Sequence, residues 1–184
     1  MFDISQIYKI EEFYSIEERK VFDLFYSHYV WEPSGYSHNE NSNIFWQMNM
    51  WNHPNFGSCE DLEKLNRVKI ELAFDIKLTT ERMYLNGQSH GQCGQLHTDL
   101  LNIPEEENNE YLTLVYYANE NWHPEWGGYT VVVDKNNDIQ IFYPKPNSAI
   151  IFNSRFPHVG LEPTINFKGL RITMAHKFKI TEKP

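Results

Sequence analysis

From Leu78 onward the chain is a succession of short β-branched and aromatic runs, at 78–86, 111–119, 128–134, 138–144, 148–153 and 170–178, separated by turn-forming residues. Six such runs with no helical periodicity between them point to an antiparallel barrel or jelly roll. The connection Asp134-Lys135-Asn136-Asn137-Asp138 is rich in turn formers and should close a hairpin. The first 77 residues read differently. Ser15 and Glu18 have the spacing of a capping box, and Val21, Leu24, Phe25 and Tyr29 follow at helical intervals, which predicts a helix over about 15–29. Ser58 with Asp61 in the first turn, then Leu62, Leu65, Val68 and Leu72, predicts a second over about 58–75. Between them, 31–43 is rich in Pro, Gly, Ser and Asn and reads as a loop that could serve as a lid. The expected fold is mainly β with flanking helices: one domain over 1–184, a mostly helical support region over 1–77 packed on one sheet, and a β core over 78–180.

Composition narrows the partners. A chain of 184 residues buries a sizeable core without staples, and Cys59 and Cys93, with no CxxC spacing, fit free thiols in a reducing compartment. The formal net charge of −9 argues against a nucleic-acid surface and against adhesion to an anionic membrane. No apolar run approaches the roughly 20 residues that span a bilayer, and Met1–Phe13 has no basic segment ahead of an apolar one, so a soluble, cytoplasmic protein is expected.

Chemistry enters through His97-Thr98-Asp99, a distant His158, and Arg171 shortly after it. Two imidazoles and one carboxylate on one face of a metal are the donor set of non-haem iron(II) sites, which leave positions open for substrate and oxygen. On a strand, residues 97 and 99 project the same way while Thr98 points away, so the spacing makes a two-pronged clamp. Pro157 disfavours helix at Phe156, which suits His158 at a strand end. Arg171 supplies a planar cation able to grip a carboxylate bidentately, which lysine could not do. Each piece alone has an ordinary reading as a surface or hydrogen-bonded side chain.

Taken together, RMYLNGQ at 82–88, GQLHTD at 94–99, TLVYYANENWHPEWGGYTVV at 113–132, KPNSAIIFNSRFPHVG at 145–160 and GLRITMAHKF at 169–178 resemble prolyl 4-hydroxylase-like 2-oxoglutarate and iron(II)-dependent dioxygenases, especially small phage-type members. The resemblance implies a double-stranded β-helix (jelly roll, cupin-like) holding one iron(II) on His97, Asp99 and His158. It implies a 2-oxoglutarate pocket formed by Arg171, Tyr84, Tyr117 and Thr173, with O2 as oxidant and ascorbate as reductant. Tyr117 rather than Tyr116 faces that pocket if the strand is regular. Thr173 shares the face of Arg171, and its hydroxyl reads equally as a cosubstrate donor or a plain strand residue.

Asn86 and Asn119 read as orienting groups or as turn chemistry. Trp122 and Trp126 read as a substrate rim or as anchors of the Gly127-Gly128 loop. The 87–95 segment, glycine-rich and without apolar residues, is expected to be mobile until substrate or metal orders it, and Cys93 within it is an oxidation target or a bland small residue. The implied reaction hydroxylates a C–H bond, with a prolyl group in a peptide or protein as the favoured substrate and no side-chain general base. A free amino acid or other small molecule, a cupin-like metal enzyme without 2-oxoglutarate, and a non-catalytic jelly-roll binding module are the alternatives.

Overall fold

Alternating side chains give a strand two faces, and this protein needs different covers for each. The computed structural model describes residues 2–26, 30–37, 43–51, 59–100 and 110–183. Among these, the strands are β1 (Tyr8–Ile10), β2 (Glu32–Gly35), β3 (Phe45–Asn49), β4 (Lys77–Gln88), β5 (Tyr111–Tyr117), β6 (Thr130–Val133), β7 (Ile139–Phe142), β8 (Ala149–Asn153), β9 (His158–Gly160) and β10 (Arg171–Glu182). They pair antiparallel throughout, in a large sheet of order β1-β8-β5-β10-β4-β3-β2 and a small one of order β7-β6-β9. All six expected runs are strands, and the architecture is the expected jelly roll.

The helices are α1 (Ile16–Tyr26) and α2 (Cys59–Phe74). The capping box forms: Ser15 N donates to the Glu18 carboxylate at 2.8 Å and Glu18 N to Ser15 Oγ at 3.2 Å. Glu18 also receives Lys69 of α2 at 2.9 Å. The expected ends at 27–29 and at Ser58 lie outside the described residues. No described helix is long and apolar enough to cross a membrane.

Leu62 and Ile70 of α2 and Phe22 of α1 pack on Leu85, Leu114, Ile151, Met174 and Phe178, all from one face of the large sheet. Fully buried aliphatic side chains of this size each contribute about 2 kcal/mol. The opposite face sends Val115, Tyr117, Ile150 and Phe152 against Val132 of the small sheet and Phe156, closing a second core between the sheets. On β4, Leu78 and Leu85 point to the same core despite their odd separation, because a bulge where Phe178 pairs with Thr80 and Lys177 with Arg82 shifts the register.

Two expectations need correction. The first 77 residues are not mostly helical support, since β1, β2 and β3 extend the large sheet. Within the expected 31–43 loop, 32–35 form strand β2 at the sheet edge, where Pro33 is tolerated because no further strand needs its missing N–H; residues 38–42 lie outside the described set. The β6–β7 hairpin closes as read, with the Asp134 carboxylate accepting from Asn136 N and Asp138 N and Asn137 at φ 65°.

Candidate metal centre

His97 lies outside the named strands but makes one antiparallel bridge with His158, at the start of β9: His158 N donates to His97 O at 2.8 Å and His97 N to His158 O at 3.1 Å. Asp99 N donates to Ser154 O at 3.0 Å. The backbone therefore carries His97 and Asp99 toward the same side, although one bridge rather than a regular strand does it. The imidazole rings are 4.4 Å apart. His97 Nε2 is 3.9 Å from Asp99 Oδ1, and His158 Nε2 is 3.7 Å from Asp99 Oδ2. One ligand atom from each residue lies within 4.8 Å of the others, so the three could hold a metal ion.

Each imidazole has one nitrogen engaged by backbone, His97 Nδ1 with Gln95 O at 2.8 Å and His158 Nδ1 with Phe156 O at 2.9 Å. A carbonyl only accepts, so Nδ1 carries the proton, which leaves each Nε2, the nitrogen near Asp99, with a lone pair for a metal. Thr113 Oγ1 donates to Asp99 Oδ2 at 2.7 Å and sits 2.8 Å from Ser154 Oγ, which sets the carboxylate plane. Burial and neighbouring His158 push His97 below its ordinary value, so it is neutral and ready to ligate. Burial pushes the Asp99 carboxyl up, but His158, the Thr113 hydroxyl, His97 and Arg82 together hold it below the usual carboxylate range.

Next to this triad is a cavity that also reaches Asn86, Gln88, Thr130, Arg171 and Thr173. Arg171 is only 2% exposed, and its guanidinium donates to Gly128 O at 2.5 Å, Gln88 Oε1 at 2.9 Å and Thr130 Oγ1 at 2.8 Å. All three partners are neutral. Burial pulls the guanidinium down to about 10, which still leaves it charged at pH 7. A buried cation without a countercharge among the described residues is costly, and here it faces the cavity beside the triad. The Tyr117 hydroxyl is buried beside it and feels the nearby Thr130 side chain, but has no partner within hydrogen-bonding geometry among the described residues, and the Tyr117 ring lies 6.0 Å from the guanidinium. Gly128 (φ 69°) and Gly160 keep this pocket open: a Cβ at Gly128 would sit 2.9 Å from Trp122 and 3.0 Å from Arg171, and one at Gly160 would sit 3.2 Å from Arg171 Nη1.

The register explains why these residues meet. Between β4 and β10, Gln88 pairs with Arg171, Asn86 with Thr173, Tyr84 with Ala175 and Arg82 with Lys177, while Thr173 also pairs with Tyr117 of β5. Tyr84 and Asn86 line the cavity. Burial pushes the Tyr84 phenol up to about 12, and Arg82 Nη2 donates to its oxygen at 3.2 Å. Tyr116 points the other way, with its ring against Phe13, Tyr14 and Phe22, so Tyr117 faces the second core beside Arg171, although it is not among the residues lining the cavity.

Trp122 and Trp126 do not line the cavity. Their rings meet edge to face at 5.6 Å, both pack on Phe167, and Trp122 Nε1 donates to Gly127 O at 3.0 Å, so they anchor the turn that presents Gly128 O to Arg171. Asn119 ties the end of β5 to β10, donating to Leu170 O at 2.9 Å and accepting from Ile172 N at 2.8 Å. The segment expected to be mobile at 87–95 begins inside β4, and the rest is held by Gln92 to Ser89, by Gln95 N to Ser37 Oγ at 2.9 Å and by Gly94 N to Gly160 O at 3.2 Å. Glutamine amides there replace the apolar contacts the sequence lacks.

Gln88, Thr130, Thr113 and Ser154 escaped the sequence reading. Gln88 was findable, since Tyr84, Asn86 and Gln88 share one face at period two. Thr113, Thr130 and Ser154 carry no sequence signal, because their roles arise between strands.

The sequence model described as the 2OG-Fe(II) oxygenase superfamily matches residues 82–178. No curated protein sequence matches significantly. Among solved structures, a 2OG-Fe(II) oxygenase family oxidoreductase from Burkholderia pseudomallei superposes with a TM-score of 0.73 at 12% identity, over 94% of this chain and 84% of that one. A Trichoplax adhaerens prolyl hydroxylase, solved with a hypoxia inducible factor oxygen degradation domain peptide, gives 0.66 at 16% over 96% and 83%. HygX from Streptomyces hygroscopicus, solved with nickel, 2-oxoglutarate and hygromycin B, gives 0.69 at 12% over 98% and 85%. At such identities the likeness is one of fold.

Proposed function

We propose, from the premise that this chain belongs to the 2OG-Fe(II) oxygenase superfamily, that it is a dioxygenase hydroxylating a C–H bond of a prolyl residue in a peptide or protein. In balanced form, substrate C–H, O2 and 2-oxoglutarate give substrate C–OH, succinate and CO2. The observation that carries this reading is the pairing of a metal-competent triad with a buried arginine that lacks a countercharge in the same cavity.

Iron(II), when bound, supplies the activation of O2 with 2-oxoglutarate as the second reductant. His97, Asp99 and His158 would hold it on one face, with the Gln95 and Phe156 carbonyls fixing the imidazole tautomers and Thr113 fixing Asp99. Arg171 takes the remote carboxylate of 2-oxoglutarate, its fork held by Gln88, Thr130 and Gly128 O. The Tyr117 hydroxyl, outside hydrogen-bonding geometry of any described partner, would turn to the same carboxylate, Thr173 would add a donor, and Tyr84 would close the outer side. The protein's contribution is positioning and exclusion of water, and no side chain is assigned as general base. Asn86 is placed to touch substrate, whereas Trp122 and Trp126 serve by holding the Gly128 turn. Ascorbate is the expected reductant for reactivation, the whole chain acts as one domain, and a cytoplasmic setting suits the free thiols.

The prolyl choice draws on the motif resemblance and on the prolyl hydroxylase among the similar folds. The small-molecule reading draws on the similar fold solved with hygromycin B. Incubation of proline-containing peptides with iron(II), ascorbate and 2-oxoglutarate decides between them by mass spectrometry. One added oxygen on proline, matched by succinate, is the expected result. Succinate formation that no peptide stimulates would move the substrate to a small molecule.

A further inference from the structure

Beyond the triad the cavity opens into a roomier outer cleft lined by Tyr36, Gln47, Arg82, Tyr84, Asn86 and Lys177. Arg82 and Lys177 are direct cross-strand partners on the cavity-facing side of β4 and β10. Like charges in that position repel, so a fold gains nothing from the pair. Both turn to one residue: Arg82 Nη2 lies 3.7 Å from Asp99 Oδ1, and Lys177 Nζ donates to Asp99 O at 2.8 Å. The Lys177 ammonium also lies 5.1 Å from the Tyr111 ring, and Arg82 stacks 4.8 Å over Tyr84.

Among the described residues lining the cleft, Asp99 is the single carboxylate, and the proposed chemistry commits it to a metal dication. Glu81 is the other acid acting on Lys177. With the metal in place the described residues at the mouth of the site are therefore net cationic, on a chain whose formal net charge is −9. The arginine side chain is 56% exposed, so it is free to meet a ligand arriving from solvent. Ser34, Tyr36, Ser37, Gln47 and Asn86 add hydroxyl and amide donors around it.

We infer that Arg82 and Lys177 select the substrate, and that the peptide bound in the outer cleft carries an anionic group, a carboxylate or a phosphate, beside the residue to be hydroxylated. This assignment rests on the dioxygenase reading for its peptide substrate, and it replaces the neutral or basic partner that the overall acidity would suggest. Forked arginine and point-charge lysine together favour an oxyanion over any neutral group.

The test separates binding from turnover. Four capped heptapeptides, identical except that glutamate, phosphoserine, alanine or lysine flanks a single central proline, are titrated calorimetrically into the protein loaded with zinc(II) and 2-oxoglutarate. The glutamate or the phosphoserine peptide should bind at least about tenfold more tightly than the alanine one and the lysine peptide most weakly, with the preference shrinking in high salt. Whichever anionic peptide wins identifies the group.

Arg82→Glu should invert the glutamate-over-lysine order, and Arg82→Gln should flatten it, with circular dichroism confirming that both variants fold. Equal binding across the series, a preference for lysine, or no binding by any of the four overturns the assignment. Selective binding of acidic peptides without succinate formation by the iron-loaded protein would instead sink the dioxygenase reading and leave the cleft's charge selectivity standing.

Discussion

Strand β10 carries two buried ionisable side chains that face opposite ways and stand in opposite states of completion. His176 points at the helices. Its ring lies 3.3 Å from Asn66 Nδ2 and 2.9 Å from Thr80 Oγ1, Thr80 donates to Glu63 at 2.6 Å, Arg67 donates to Glu63 at 2.9 Å, and the Tyr14 hydroxyl donates to Asn66. That network is closed. Arg171 points at the cavity, its cation answered among the described residues only by neutral groups, with the Tyr117 hydroxyl at its side outside hydrogen-bonding geometry of any described partner. A closed polar network is complete within the fold, whereas an open one facing a cavity has hydrogen-bonding capacity left for a ligand or water. The difference can be broken experimentally, because changes to the two clusters should fall on different observables.

The largest effect is expected at the metal. Asp99→Ala or His158→Ala should remove tight metal binding and bring succinate production to background, and near-normal turnover by either variant would take that residue out of the centre. Next comes Arg171→Met. It should weaken 2-oxoglutarate binding by on the order of 10²-fold or more, since it removes one partner of a buried charge pair. The ligand-free protein should be as stable as the parent, or more so, because an uncompensated buried cation is gone. A large loss of thermal stability in that variant would erase the contrast with His176.

Tyr117→Phe should cost about tenfold in 2-oxoglutarate affinity, the value of one hydrogen bond to a charged group, while leaving the free protein's melting temperature unchanged or raised. Titration calorimetry paired with thermal melts reads both.

His176→Gln sharpens the other side. It should lower stability by about 1–3 kcal/mol through imperfect partners for Thr80 and Asn66, with the 2-oxoglutarate affinity unmoved. Burial, helped by Arg67, holds His176 well below its ordinary value. The unfolded imidazole takes its proton near pH 6.5, the native one only far below that, so the stability lent by the neutral ring is complete above about pH 6.5 and is lost as the pH falls beneath it. The slope reaches up to about 1.4 kcal/mol per pH unit for one proton. His97 is shifted in the same direction. Denaturant melts between neutral and mildly acidic pH should show a shallower decline for His176→Gln than for the parent, and parallel curves would contradict the network.

Much of this was legible in the residue pattern. The six strands follow from β-branched and aromatic runs between turn formers, and α1 from its capping box. Strands β1, β2 and β3 were not legible: they are short, β2 holds Pro33, and such edge strands draw their pairing from β4 and β8 rather than from their own periodicity. At the site, His97, Asp99, His158 and Arg171 stood out because histidine, aspartate and arginine are recognisable chemistry at recognisable spacing. Trp122 and Trp126 read ambiguously, as aromatic residues in a loop do, and their contacts with Phe167 resolved them as anchors.

The order of residues along the chain was enough to name the class of fold and to single out His97, Asp99, His158 and Arg171, which the fold gathers around one cavity, because alternation and residue chemistry are local properties. It was silent about Gln88 and Thr130 beneath Arg171, about Thr113 and Ser154 steering Asp99, and about Arg82 facing Lys177. Those relations join residues 14 to 95 positions apart. Only strand register, set by the β4 bulge and by the two cores on either side of the large sheet, brings such residues into contact.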